Sequence, residues 1–254
     1  MEPRRYDQRG GIYCAIPIGE TKLDSNKVIQ GMGNLMSRMR VLSLPTNTKF
    51  LMQVCLNNNR VKARELMVEK ALKHDAEWIL WVDADVLPPC NGLTKLFARD
   101  TDIIGGLVVT KSDTPQPIIL RKGQSYQFQD WEPGDLVPCD ATGFGFTLMR
   151  TEIFKKLEKP WFYEGTDAAT ERDAYSTTED APLMYRAVEE GFKCFVDTSV
   201  ICEHVDWKSG MRFSWDPEKR HPVIIRPDGT KLVFYNAAQQ MAYQEARDSK
   251  KESE

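Results

Sequence analysis

"EWILWVDADVLPPCNGL", residues 77–93, decides how the rest of this chain is read. An unbroken apolar run, Trp78 to Val82, leads straight into Asp83-Ala84-Asp85. Such a run fits a strand buried on both faces, as in a parallel sheet covered by helices. Sheets of that kind bind ligands at the carboxyl ends of their strands, where these two aspartates stand. In an extended segment residues i and i+2 point to the same side. Asp83 and Asp85 are therefore expected with Cα atoms about 6.5 Å apart. Two carboxylates ~5 Å apart repel by roughly 3 kcal/mol at an effective dielectric of about 20, and a divalent cation reverses that cost. Magnesium and manganese favour oxygen ligands and leave room for substrate phosphates. The competing reading is a solvated Asp-rich turn after a strand. Pro88 and Pro89 are expected to keep the strand from continuing.

The stretch is the third strand of an alternating half. Residues 11–18 read as a strand, 27–42 as a helix and 48–56 as a second strand. Residues 60–74 form an amphipathic helix, 92–100 a short helix and 102–110 a fourth strand. This order implies an α/β fold with a mostly parallel central sheet flanked by helices. The rhythm then changes, and a smaller antiparallel β element is expected in the C-terminal half. Residues 115–123 and 125–135 look like hairpin material. Residues 139–159 run from a Gly-rich turn through a strand into a helix. A helix at 177–191 stops at Gly191. Two β segments lie in 192–205, a hairpin in 226–234 and a helix from Asn236 to about Arg247. Without repeats or a low-complexity linker, the chain reads as one domain, 1–254.

Composition narrows the functions. The 254 residues are 41% apolar and 28% charged, as in a folded globular protein. With a formal net charge of −3 and no long basic run, a general nucleic-acid binder is not expected. Neither a signal-type apolar region nor a bilayer-length apolar run occurs, so the expected location is cytoplasmic, or the cytoplasm of a host cell. The six cysteines form no C-x-x-C pair and read as reduced, mostly buried thiols. Cys194 and Cys202 are spaced so that neighbouring strands are one arrangement open to them.

Two distal pieces support the aspartates. Glu179-Asp180 opens the helix at 177–191, where acidic residues also serve the helix dipole. One of these carboxylates is expected to face the pocket, stay ionised beside the helix N-terminus, and act as a general base. His204 follows an apolar strand; it is either a packed core residue or a nitrogen ligand suited to manganese.

Taken in order, "CAIPIGE", "RVKARELMVEKAL", "WILWVDADVLPP", "CDATGFGFTLMRTEIF", "TTEDAPLMYRAVEEGFKCFVD" and "EHV" resemble the GT-A-fold glycosyltransferases. The likeness is to family-2-like and mannosylglycerate-synthase-like enzymes, including related viral glycosyltransferases, and spans residues from about 12 to 205. It implies a nucleotide-sugar-binding half at 11–110, an acceptor and catalytic half at 111–205, and a C-terminal extension at 206–254. It implies that Pro17, Ile18, Gly19 and Glu20 receive the nucleoside and that Arg64 approaches the nucleotide. Asp85 would bind Mn2+ or Mg2+ directly, and Asp83 the ribose or a metal-bound water. His204 would complete the metal site, with Ala84 between the aspartates. The donor is a nucleoside-diphosphate sugar, UDP- or GDP-linked, and the acceptor a glycan or other hydroxyl. Asp180, with Glu179 beside it, is the expected base of an inverting transfer. The chain departs from the family at Glu65, where Asn is common after the arginine, and at Asp206-Trp207, where glycine is common.

The glycines of "ATGFGF" (141–146) have the wrong spacing for a dinucleotide fingerprint. Gly143 would let backbone amides approach the donor sugar or acceptor, or the segment is simply a tight turn. Trp161, in "KPWFYEG", is either an apolar platform for a sugar ring or a packing residue. A nucleotidyltransferase would carry a Gly-rich basic loop after the first strand, which "IPIGETKLDS" matches poorly. A phosphatase with an aspartate nucleophile would place its Asp-x-Asp on the first strand. A non-catalytic sugar- or nucleotide-binding module on the same scaffold is the third alternative.

Overall fold

The computed structural model describes residues 11–18, 25–56, 59–122, 131–163 and 178–233. The elements in chain order are β1 (Ile12–Ile18), α1 (Ser25–Arg40), β2 (Phe50–Leu56), α2 (Arg60–Lys73), β3 (Trp78–Val82) and β4 (Val86–Leu87). Next come α3 (Gly92–Arg99), β5 (Ile103–Leu107), β6 (Ile119–Leu120), β7 (Leu136–Cys139), β8 (Ala141–Thr142) and β9 (Phe146–Arg150). The chain continues through α4 (Glu152–Lys156), α5 (Asp180–Glu189), β10 (Cys194–Ile201) and β11 (Glu203–Val205). It closes with β12 (Arg212–Asp216), β13 (His221–Ile225) and β14 (Lys231–Val233). The expected helix from Asn236 and most of the segment 125–135 lie outside the described residues.

A seven-stranded sheet in the order β2-β1-β3-β9-β5-β10-β7 forms the centre. β1 pairs in parallel with β2 and β3, and β5 with β10. β9 runs antiparallel between β3 and β5. β5 follows β3 in the chain but is not its neighbour in the sheet. Here the chain leaves β5, passes through β6, β7 and β8, and returns between them. Helices cover both faces, and every residue of β1, β3 and β5 is buried. One face packs Tyr13, Ala15, Ile79 and Trp81 with Met67 and Val68 of α2. The other packs Cys14, Ile16, Leu80 and Val82 with Leu35 of α1 and Phe97 of α3. This two-sided burial explains why the strands read as unbroken apolar runs.

The second sheet, β14-β13-β12-β11-β4, is the smaller antiparallel element. Its far edge is β4, contributed by the same stretch that makes β3. The Asp-x-Asp segment is thus not extended, as expected, but turned. The Val86 amide donates to the Asp83 carbonyl (3.0 Å), and the chain crosses from one sheet to the other. The prolines follow the second strand, not the first. Expected and observed helix ends agree within two or three residues. Gly191 has φ +92 and its amide donates to the Val188 carbonyl, while Phe192 N–H donates to Ala187, a left-handed stop for α5. Cys194 and Cys202 are not on neighbouring strands: Cys194 begins β10 and Cys202 follows it. The partner opposite Cys194 is Cys139 of β7, with Sγ atoms 3.6 Å apart.

β10 is broken where it matters for the site. Its register against β5 shifts between Asp197 and Ile201, so residues 198–200 bulge before the chain reaches Glu203 and His204. Gly106 permits this, because a Cβ there would sit 2.9 Å from the Val200 carbonyl oxygen. Asp197 holds the bulge: its fully buried carboxylate accepts from Arg99 Nε (2.7 Å) and from Ser199 N–H (2.9 Å). Burial pushes this carboxyl up, but the hydrogen bonds from Arg99 and Ser199 outweigh it and hold it below the ordinary carboxylate range. A depressed carboxyl stabilises the fold above its unfolded pKa, and that stability is lost as pH falls through the folded value. Asp197→Asn is therefore expected to cost roughly 1–3 kcal/mol at pH 7. The difference from wild type should shrink steadily below about pH 4, as Asp197 protonates first in the unfolded chain and then, at lower pH, in the folded one. Thermal unfolding across pH checks this; a difference that stays constant down to the acid limit overturns it.

Candidate active site

The carboxyl ends of β1, β3 and β5, the start of α5 and the edge of the small sheet converge on one cleft of ≈380 Å³. Its walls include Pro17, Ile18, Arg60, Arg64, Asp83, Ala84, Asp85, Lys111, Gly143, Glu179, Asp180, His204 and Trp207. Of the residues singled out from sequence, Pro17, Ile18, Arg64, Asp83, Ala84, Asp85, Gly143, Glu179, Asp180 and His204 all line it. Gly19 and Glu20 lie outside the described residues. Trp161 is elsewhere: it is buried against Phe154 (centroids 5.7 Å), and its indole N–H donates to the Leu157 carbonyl. It packs and does not reach the cleft, so the sugar-platform reading is corrected. A larger cavity of ≈650 Å³ lies beyond Leu87, Glu203 and Val205, lined by the opposite side of β4 and β11.

Arg64 organises the acidic side. Asn59 caps α2 by accepting from Lys62 N–H (2.8 Å), and Arg60 and Arg64 share one face at i, i+4. The Arg64 side chain is 2% exposed. Its Nε donates to Glu179 Oε1 (3.0 Å) and its Nη2 to Asp83 Oδ1 (3.1 Å). The guanidinium lies over the rings of Phe144 (4.7 Å) and Trp81 (5.3 Å). Nη1 is buried and has no hydrogen-bond partner among the described residues. Burial pulls the Arg64 pKa down, yet Asp83, Glu179 and Asp180 outweigh it and raise it. Burial pushes Glu179 up, but Arg64 and then Arg60 (3.9 Å) hold it below the ordinary range. Asp83 ends above the ordinary range: burial, Asp85 and Asp180 outweigh the pull of Arg64.

Glu179 and Asp180 therefore differ although adjacent. Glu179 is buried and committed to Arg64. Asp180 is half-buried in the cleft wall; its Oδ1 accepts from Ala181 N–H (3.0 Å) and its Oδ2 from Phe144 N–H (3.2 Å). The amide freed by the Gly143-Phe144-Gly145 turn serves this carboxylate, where sequence reading aimed it at a ligand. Gly145 takes the Asp83 amide on its carbonyl (3.1 Å), which ties the turn to the Asp-x-Asp segment.

Asp85 belongs to the other wall. Its carbonyl accepts from Val205 N–H (2.7 Å), fixing it to the small sheet. His204 pairs opposite Val86, and its Nδ1 donates to the Val109 carbonyl (2.8 Å). That contact uses Nδ1 and turns Nε2 toward the carboxylate, 3.6 Å from Asp85 Oδ2. Lys111 Nζ donates to the same Oδ2. Burial pushes Asp85 up, but His204 and Lys111 outweigh it and hold the carboxyl far below the ordinary range. Among the described residues, no cluster of three or more His, Cys, Asp or Glu side chains is disposed to hold a metal ion. Asp85 and His204 are a two-donor edge, one oxygen and one nitrogen.

Sequence reasoning missed Arg60, Lys111 and Trp207 as cleft residues. Arg60 was findable from its i, i+4 relation to Arg64. Lys111 stands just past the carboxyl end of the fourth strand, the same ligand edge as the aspartates. Trp207 was visible only as a departure from the family pattern. Glu65, the other departure, accepts the amides of Trp161 (2.6 Å) and Phe162 (2.9 Å) on Oε1.

No family model matches the sequence, and no curated protein matches it closely enough to count as a relative. The solved structure of A197 from STIV is similar, with a TM-score of 0.52 and 15% identity over 90% of this chain and 95% of that one. The two chains share a fold. The catalytic domain of Drosophila beta1,4galactosyltransferase 7, solved with xylobiose, has a TM-score of 0.42 and 13% identity over 74% of this chain and 65% of that one.

Proposed function

We propose that this chain is a glycosyltransferase of GT-A type, moving a glycosyl group from a nucleoside-diphosphate sugar to an acceptor hydroxyl. The observation that carries the reading is the division of the cleft. One wall offers a half-exposed carboxylate, Asp180, and the other offers Asp85, His204 and Lys111, with Arg60 and Arg64 between. Cations for a diphosphate and a carboxylate for a proton thus face one space. Pro17 and Ile18, at the carboxyl end of β1, supply an apolar seat for the nucleoside. Arg60 and Lys111, both partly exposed, are placed to pair with phosphate oxygens. Nη1 of Arg64, unpaired among the described residues, is a further donor in the wall.

Asp85 Oδ2 and His204 Nε2, one oxygen and one nitrogen, would hold a manganese or magnesium ion. When bound, such an ion would offset charge on the departing diphosphate. Asp180 accepts the acceptor's hydroxyl proton as that oxygen bonds to the anomeric carbon. The bond from that carbon to the diphosphate oxygen breaks, and its electron pair leaves with the diphosphate. Attack from the face opposite the leaving group gives inversion. Glu179 does not take part directly: it keeps Arg64 in place.

Asp180→Asn is expected to lower kcat by about 10²–10⁴. Donor binding, measured by calorimetry, should persist, because Asn can still accept the Phe144 amide. Retained turnover removes Asp180 as the base. A thermal-shift panel of UDP, GDP, dTDP and CDP, with and without manganese, tests the donor class. One nucleotide should raise the melting temperature, and more so with manganese; at 100-fold over its Kd the gain is about 2.7 kcal/mol. The absence of any shift across the panel overturns the glycosyltransferase reading.

A further inference from the structure

We infer that Lys111 is a tethered counter-cation: its ammonium holds the place beside Asp85 and His204 that a divalent cation would take, and so sets how tightly such a cation binds. The inference rests on the proposed metal-binding role of Asp85 and His204. Lys111 Nζ and His204 Nε2 approach the same oxygen, Asp85 Oδ2. A metal on that edge must take Oδ2 from the ammonium. The two cations also repel each other, so they cannot share the seat.

The backbone under Lys111 is held by hydrogen bonds, and its side chain is partly exposed. Val109 bridges to Pro117, the Thr110 amide donates to the Gln116 carbonyl (2.9 Å), and Gln116 N–H donates to Thr110 Oγ1 (3.0 Å). Val109 also holds His204 through its carbonyl, so Lys111 is tied to the metal edge by a rigid turn. The side chain itself is 32% exposed on a flexible four-carbon stem. It lines the cleft and also an adjoining cavity of ≈380 Å³ that contains Asp113, Asp206 and Ser209. That second cavity gives a displaced ammonium acidic surroundings. Lys111 therefore has one seat on Asp85 and room beside Asp206.

The consequence is competition within the protein. A seat open about a tenth of the time raises the apparent dissociation constant about tenfold. The test is Mn2+ binding to the full chain, without nucleotide, by calorimetry and by the electron paramagnetic resonance of free manganese. Lys111→Met should bind one Mn2+ about tenfold tighter than wild type. The double variant Lys111→Met/Asp85→Asn should lose that gain. Lys111→Arg, which keeps the charge, should stay near wild type. Equal Mn2+ affinity in wild type and Lys111→Met overturns the inference, as does an absence of binding to Lys111→Met. The nucleotide panel is independent of this result: Lys111 can fail while a nucleotide still binds, and manganese competition can hold in a chain that binds no nucleotide.

Discussion

A buried guanidinium is the constraint on which the site depends. Arg64 is nearly inaccessible, so its charge must be met inside the protein. It is met from two directions, by Asp83 at the end of β3 and by Glu179, 115 residues away, at the start of α5. The faces of Phe144 and Trp81 supply the rest of its surroundings. Removing one member of such a cluster leaves the others uncompensated, which is far costlier than the pair's net contribution. Arg64 thereby fixes where α5 begins relative to the central sheet. It also divides the labour of two adjacent acids, because engaging Glu179 leaves Asp180 as the carboxylate on the open side.

The second constraint is the crossing between sheets. β3 and β4 are one stretch of chain bent at Asp83–Val86, and β4 pairs with β11. Asp83 consequently belongs to the central sheet and Arg64, while Asp85 belongs to the small sheet, His204 and Lys111. Two carboxylates one residue apart are thus neutralised by different partners, and their pKa values move in opposite directions. A straight strand would have pooled them into one acidic patch. The bulge in β10 is the matching adjustment on the other side, since it delivers His204 opposite Val86.

Much of this was legible in the sequence, and the failures have physical reasons. β1, β3 and β5 were readable because burial on both faces leaves short unbroken apolar runs, and α2 because burial of one stripe leaves the helical period. Asp85, Asp180 and His204 could be brought together because each follows or opens an element at the ligand edge of a parallel sheet. The antiparallel insertion of β9 was not readable, since its apolar residues would suit either direction. The turned Asp-x-Asp was hidden because a short buried strand in a second sheet looks like the continuation of the first. Trp161 was ambiguous because an aromatic ring serves core and platform equally well, and only its neighbours decide. Lys111 offered only its place past the fourth strand: a single lysine in a polar loop acquires meaning from the carboxylate it meets.

α2 ties these observations together more tightly than its surface position implies. One face carries Arg60 and Arg64 into the cleft. The next residue, Glu65, accepts the amides of Trp161 and Phe162, and Glu69 pairs with Lys159 (2.5 Å). Arg186 of α5 donates to the carbonyls of Glu158 and Pro160 from the other side. The segment at 158–162 is therefore clamped between α2 and α5, the same two helices that Arg64 and Glu179 join within the cleft. A carboxylate suits position 65 because it accepts two converging amides on one oxygen, with a full charge to offset their burial. Glu65 thus joins α2 to the segment that α5 holds from its other side. The Trp161 ring is the apolar body of the clamp, packed against Phe154 of α4.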